Sequence, residues 1–356
     1  VSIFRRSRLV RTGAALLSAA ALTFVAACGG DNDSSSADGK TTLVWGIQTA
    51  DFPALFEASG LFEDLPYNLD IPIINGPAQQ LQALYSKRTD VGHTGAGTAA
   101  IELANAPEDW NATGKPAIQA IAITLDSETK YPAPSLFVRT DKGINSIEDL
   151  RGKSIAFNFG GNIYAAYVVA LAQAGLTEKD VKPAKFADNQ AAAAAFVAGE
   201  VDAVVTSFEL AHKLLADGSA KYIPGDPALS KITGGGSSIT RPDVLADPAK
   251  LEAIKDFYGR LHKFYAEWYP NNKEAVTAVY KRVLNQPDER AEIKFEANRQ
   301  TRFLSLADPE VIANQQIVVT EAFKAGGVKH DRNVAVAYNP ILDPITVGTP
   351  GPSPQG

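Results

Sequence analysis

The sequence predicts an α/β fold divided into two lobes. Short apolar runs alternate with helical patterns along residues 42–125, and the alternation restarts at Ser135. Beyond Pro248 the pattern becomes almost wholly helical. Strand and helix in alternation, with short connections, imply a mostly parallel sheet covered on both faces. Two such units in series suggest two lobes, not one large sheet.

In the first unit, the apolar run Thr42–Ile47 predicts a buried strand, and Pro53–Ala58 predicts a helix closed by Gly60. Leu69–Ile74 reads as a second strand, and Ala78–Tyr85 as a helix with Leu81, Leu84 and Tyr85 on one face. Asp90–His93 gives a third strand, Thr98–Leu103 a third helix and Ala117–Leu125 a fourth strand. The second unit opens with the strand Ser135–Arg139 and a helical turn at Ser146–Leu150, with Ser146 as its cap. The strand Ser154–Asn158 and the helix Ile163–Ala174, ending at Gly175, follow. Strands at Lys182–Ala187 and Ala203–Thr206 flank the helix Gln190–Ala198. Helices are then expected over Lys250–Trp268, Lys273–Leu284, Arg290–Phe303 and Pro309–Ala325, packing back on the first lobe.

The ends carry different signals. Arg5, Arg6, Arg8 and Arg11 precede an apolar run from Ala14 to Ala27, which is short for a permanent span and reads as an export signal over residues 1–27. That run ends Val25-Ala26-Ala27-Cys28-Gly29-Gly30, which resembles a bacterial lipobox. The resemblance implies cleavage before Cys28 and a diacylglycerol on its thiol, hence an extracytoplasmic, membrane-anchored protein. The polar stretch to Lys40 reads as a tether, and residues 349–356, rich in Pro and Gly, as a flexible tail.

Cys28 is the only cysteine in the sequence, so the folded body has no disulfide, zinc–thiolate site or cysteine nucleophile. The chain carries 34 basic and 40 acidic side chains, a net charge of −6, and without the four leader arginines the balance is 30 to 40. An acidic body without a basic run argues against nucleic acid as a partner. His93, His212, His262 and His330 lack metal-ligand spacing, no phosphate loop is present, and no cofactor is expected. The mature chain, about 330 residues, is long enough for two ordinary cores.

Five runs, in order, resemble the solute-binding family that includes the taurine, aliphatic sulfonate and nitrate binding proteins. They are Gln48-Thr49-Ala50 after the first strand; Asp90-Val91-Gly92-His93-Thr94-Gly95; Ser146-Ile147-Glu148-Asp149-Leu150-Arg151-Gly152-Lys153-Ser154-Ile155-Ala156; Phe196-Val197-Ala198-Gly199-Glu200-Val201-Asp202-Ala203; and the helix Asp308 to Gln316. The resemblance spans about Leu43 to Val328. It implies the type II periplasmic-binding-protein fold, with two lobes joined by a hinge at crossings near Pro134-Ser135 and Ile232–Gly236 and a ligand cleft between them. Lobe 1 would then hold residues 41–134 and 236–348, and lobe 2 residues 135–235. It further implies a non-enzymatic, monomeric component of an ABC importer, with a permease and its ATPase as partners and a small anionic or zwitterionic solute as ligand. The family has enzyme cousins, so an exported enzyme acting on a small pyrimidine or sulfur compound is the alternative.

Physical reasoning places the ligand at the same cleft. Solutes bind beyond the carboxyl ends of parallel strands, where helix N-termini offer unpaired N–H groups to an anion. Three segments fit: Gln48 to Phe52 after strand one, Thr94-Gly95-Ala96-Gly97 after strand three, and Gly160-Gly161-Asn162 before the helix at Ile163. Their glycines allow close approach of a ligand to the backbone. The candidate ligand contacts are therefore Gln48, Asp51, Thr94, Gly95, Gly160, Gly161, Asn162 and Glu209. Asp51 and Glu209 each stand between two roles, pairing with a ligand ammonium or favouring a helix N-terminus. His93, at a strand end, either packs or touches ligand.

Overall fold

A computed structural model describes residues 39–126, 131, 134–223 and 235–347. The export signal, Cys28, most of the tether, most of the second crossing and the tail lie outside the described residues. Strands β1 (Thr42–Gly46), β2 (Asn68–Asp70), β3 (Val91–Gly95) and β4 (Gln119–Asp126) open the first sheet. The chain then builds a second sheet from β5 (Ser135–Arg139), β6 (Ser154–Asn158), β7 (Lys182–Phe186), β8 (Ala203–Thr206) and β9 (Ala220–Ile223). It returns to the first with β10 (Gly236–Thr240) and β11 (Thr301–Leu304). The strand orders are β11-β4-β10-β3-β1-β2 and β7-β6-β8-β5-β9. This is the expected α/β fold, built on two sheets.

Both sheets are mixed, which corrects the expectation of mostly parallel pairing. β1 runs parallel to β2 and β3, and β6 to β7 and β8. β10 is antiparallel between β3 and β4, β11 is antiparallel on β4, and β5 is antiparallel to β8 and β9. The cause is the return path. The chain leaves the first sheet at the end of β4 and re-enters beside that end, where Gly236 faces Gly95 and Thr124, so β10 must run the opposite way.

Three strands escaped the sequence reading. β10 reads Gly-Ser-Ser-Ile-Thr, a loop composition, yet Ser237, Ser238 and Thr240 are buried between two strands. β9 is four residues long, on the edge of its sheet. The helix expected to run to Phe303 stops at Asn298, and Thr301–Leu304 pairs with β4, burying Phe303. The second strand is shorter than expected because Pro72 has no N–H for a ladder; beyond Asp70 the pairing thins to a bridge between Ile47 and Ile73. The turn at Ser146 is a 3₁₀ helix, Glu148–Leu150, and the carboxylate of Asp149, not a Ser146 cap, accepts from the backbones of Asn145 and Ser146.

Helices Pro248–Lys263, Lys273–Leu284 and Asp288–Asn298 cover the first sheet, where Trp45, Phe56, Phe257, Tyr258 and Phe264 are buried together. The first of them continues as a π-helical segment, Phe264–Trp268. Pro270, two residues on, has no N–H to offer the carbonyl of Ala266, so the α pattern breaks there. Helix Pro309–Lys324 packs on Thr98–Asn105 and also on Asn162–Gln173, and the Tyr164 hydroxyl donates to Gly327 O at 2.5 Å. The two sheets therefore share a continuous apolar core along that helix.

Candidate functional site

The carboxyl end of β3 meets the N-terminus of the helix that follows β6. Gly95, the last residue of β3, lies so close to the helix Asn162–Gln173 that a Cβ on it would stand 2.2 Å from Asn162 N. A Cβ on Gly161 would stand 3.0 Å from Pro77 Cγ and 3.6 Å from Gly95 N. Gly76, with φ +83°, closes the same seam: its missing Cβ would fall 2.2 Å from Ala187 O, just beyond β7. Gly160 (φ +95°) turns the chain from β6 into its helix with a conformation that side chains disfavour. Asn162 Oδ1 accepts from Ile163 N at 2.9 Å.

Thr94 and Gly95 lie inside β3 rather than in the turn after it, opposite Ser237 and Gly236. Thr94 is 2% exposed, and its hydroxyl faces Ser237 O at 3.5 Å, a long contact. The turn proper is Ala96-Gly97, where Ala96 N donates to Gly235 O at 2.9 Å. Gln48 is partly exposed, and its Nε2 donates to His93 O at 3.1 Å, joining the ends of β1 and β3.

Asp51 lies in the first turn of helix Asp51–Ser59, 1% exposed, and its Oδ2 pairs with Lys294 Nζ at 2.9 Å. Burial alone would raise the carboxyl pKa. The Lys294 ammonium and hydrogen bonds from Thr49 and Lys294 outweigh burial and hold it below the usual range. His93 packs against Trp45 and Phe52, with ring centroids 5.6 and 5.8 Å away, and its Nδ1 is buried without a hydrogen bond. Burial pushes the imidazole pKa down to about 4, against the pull of Asp51, so the ring is neutral at pH 7. Asp126, ending β4, is pushed up to about 7 by burial, partly opposed by Gln300, Thr301 and Arg299.

The second sheet contributes a chain of polar side chains. Thr206 Oγ1 donates to Asn189 Oδ1 at 2.7 Å, Asn189 Nδ2 to Ser207 Oγ at 3.3 Å, and Ser207 Oγ to Glu209 Oε1 at 2.7 Å. Two consecutive residues of the helix Asp288–Asn298, which covers the first sheet, reach the helices of the second. Glu289 Oε1 pairs with His212 Nε2 at 2.9 Å, and Arg290 Nη2 donates to Gln190 Oε1 at 3.2 Å. The structure thus brings Gly95, Gly160, Gly161 and Asn162 together, puts Gln48 and His93 at neighbouring strand ends, and sets Asp51 in a buried ion pair. Sequence reasoning missed Gly76-Pro77, Arg290 and Lys294. Gly-Pro before a helix was a readable signal for the first; nothing local marked the two cations.

Residues 58–226 match the family model described as ABC transporter, phosphonate, periplasmic substrate-binding protein. Among curated proteins, none matches the sequence significantly. Among solved structures, the alkanesulfonate-binding protein SsuA from Xanthomonas axonopodis pv. citri, bound to MOPS, superposes with a TM-score of 0.69 at 20% identity, over 84% of this chain and 98% of that one. The periplasmic aliphatic sulphonate binding protein SsuA from Escherichia coli superposes with 0.63 at 19%, over 84% and 92%. The desulfurization enzyme DSZB superposes with 0.52 at 15%, over 85% and 98%. The chain thus has the type II periplasmic-binding-protein fold that these sulfonate-binding proteins share, and matches the phosphonate-binding family model over part of its length.

Proposed function

We propose that this chain is the extracytoplasmic solute-binding component of an ABC importer, and that it holds a small organic acid or zwitterion between its sheets. The solute class is that of aliphatic sulfonates, taurine and phosphonates. The observation that carries the reading is one contact between the two halves of the fold: Gly95 at the end of β3 and Pro77 at the start of its neighbouring helix abut Gly161 and Asn162 at the start of the helix after β6, so backbone N–H groups and polar side chains from both halves would border one site. Gln48, Asp51, Thr94, Gly95, Gly160, Gly161, Asn162 and Glu209 make up its border. The Gly95–Asn162 contact itself leaves no room for a solute, which would lie beside it, towards Gln48, Ser207 and Glu209. Opening would move residues 135–235 as one lobe against 41–134 and 236–348, by a hinge at the two crossings. A permease and its ATPase are the partners, and a lipid on Cys28 is the anchor.

Titration calorimetry of the full chain against ethanesulfonate, taurine, methylphosphonate, nitrate and uracil tests the reading. Saturable binding of an acid or zwitterion supports it, and silence towards all of them sinks it. The fold shared with a desulfurization enzyme keeps a second reading in view, an exported enzyme acting on a small sulfur or pyrimidine compound. Mass spectrometry of the recovered solute separates the two: an importer component returns it unchanged. For the anchor, Cys28→Ala should move the protein from membranes to the soluble fraction and abolish metabolic lipid labelling. An unlabelled native protein that stays on membranes would refute the lipid.

A further inference from the structure

We propose that Arg290 is the residue that receives the acid group of the solute, a proposal that rests on the solute-binding reading above. Helix Asp288–Asn298 belongs to the first lobe, where Lys294 pairs with Asp51, but its first turn reaches the second. There Arg290 makes a single hydrogen bond among the described residues, from Nη2 to Gln190 Oε1 at 3.2 Å. A guanidinium carries five N–H donors, so four are uncommitted, and the Nε among them is buried with no partner. A buried donor left unmatched is costly, which makes an acceptor at this point favourable.

The neighbouring charges decide what that acceptor is. Lys294, one turn along, is committed to Asp51 at 2.9 Å, and Lys185 lies over the Phe159 ring, 5.2 Å from its centre. Glu289 is turned to His212 at 2.9 Å. Arg290 is thus a cation at the junction of the two halves with no carboxylate partner among the described residues. A planar fork of N–H groups fits two oxygens of one acid group, whether sulfonate, phosphonate or carboxylate. Its place between Gln190 and the first lobe also couples acid binding to closure, because the fork is complete only when the lobes meet.

The test follows the Arg Nε–H resonances of ¹⁵N-labelled full-length protein during titration with ethanesulfonate, methylphosphonate and propionate. Loss of one resonance in Arg290→Lys assigns it. The expected result is a saturable shift of the Arg290 Nε–H with at least one acid. Arg290→Gln should weaken that acid roughly ten- to a hundredfold, with Arg290→Lys recovering part of the loss. If backbone resonances of Gly95 and Gly161 move while the Arg290 Nε–H stays still, solute binding stands and the role of Arg290 falls. If no resonance moves with any acid, the role of Arg290 falls, and the solute-binding reading falls with it only when taurine, nitrate and uracil are silent too. The native titration decides the matter even if Arg290→Gln does not fold.

Discussion

Asp51 and Lys294 form an ion pair 2.9 Å long whose carboxylate is 1% exposed, and this pair fastens the helix after β1 to the helix that reaches the second lobe. Lys294 also lies over the Tyr280 ring, 4.8 Å from its centre, and the hydroxyls of Tyr280 and Tyr269 share a 2.7 Å hydrogen bond. The carboxylate stays ionised through the cation beside it. Lys294→Met removes that cation and strands a buried charge, at a cost of about 3–5 kcal/mol. Urea unfolding should show the loss, and Asp51→Asn combined with Lys294→Met should recover part of it. A single variant as stable as the native protein would mean that the pair is held by water instead.

Gly95→Val tests the contact between lobes. The added Cβ meets Asn162 N, which is backbone and can retreat only if the lobes part. Small-angle scattering should give a larger radius of gyration than the native protein, and solute affinity should fall at least tenfold. The expected melting temperature of the first lobe is little changed, since the clash lies outside it. An unchanged scattering profile would show that the seam yields locally.

The sequence made the first sheet's helices and most strands legible, because their apolar periods are strong: Ser135–Arg139, Ser154–Asn158 and Ala203–Thr206 have the expected bounds. β10 was not legible, since its serines are covered only by strands that come more than 110 residues earlier. The glycine turns of the candidate site were legible. What those turns touch was not, because Gly95 and Asn162 meet only after two separate sheets have formed. The roles of Asp51 and Arg290 depended on partners at Lys294 and Gln190, which no local pattern ties to them.

His93→Gln should flatten part of the stability loss in acid. The native ring has a pKa of about 4 and the unfolded chain one near 6.5, so the unfolded state takes up the proton first. Its contribution is therefore full above pH 6.5 and lost as pH falls towards 4, with a magnitude of about 3 kcal/mol. Asp126, raised to about 7 by burial, acts in the opposite sense, its contribution fading as pH rises from about 4 to 7. Urea melts at pH 7 and pH 4.5 should bring the variant closer to the native protein at the lower pH. A constant gap between the two would show that His93 does not titrate differently on folding.

Glu209→Gln separates acids from zwitterions. Glu209 and His212 stand three residues apart on helix Phe208–Ala216 and so share a face, and His212 touches Glu289 of the other lobe. On the proposed reading, that face borders the solute. Glutamine keeps an acceptor for the Ser207 hydroxyl, now 2.7 Å from Glu209 Oε1, while the negative charge goes. A carboxylate near a bound anion repels it by about 1 kcal/mol at exposed sites, and attracts an ammonium by as much. Calorimetry at low salt should show ethanesulfonate binding several-fold tighter to the variant and taurine several-fold weaker. If both solutes change in the same direction, Glu209 acts through the polar chain of Thr206, Asn189 and Ser207, and the charge itself does not meet the ligand.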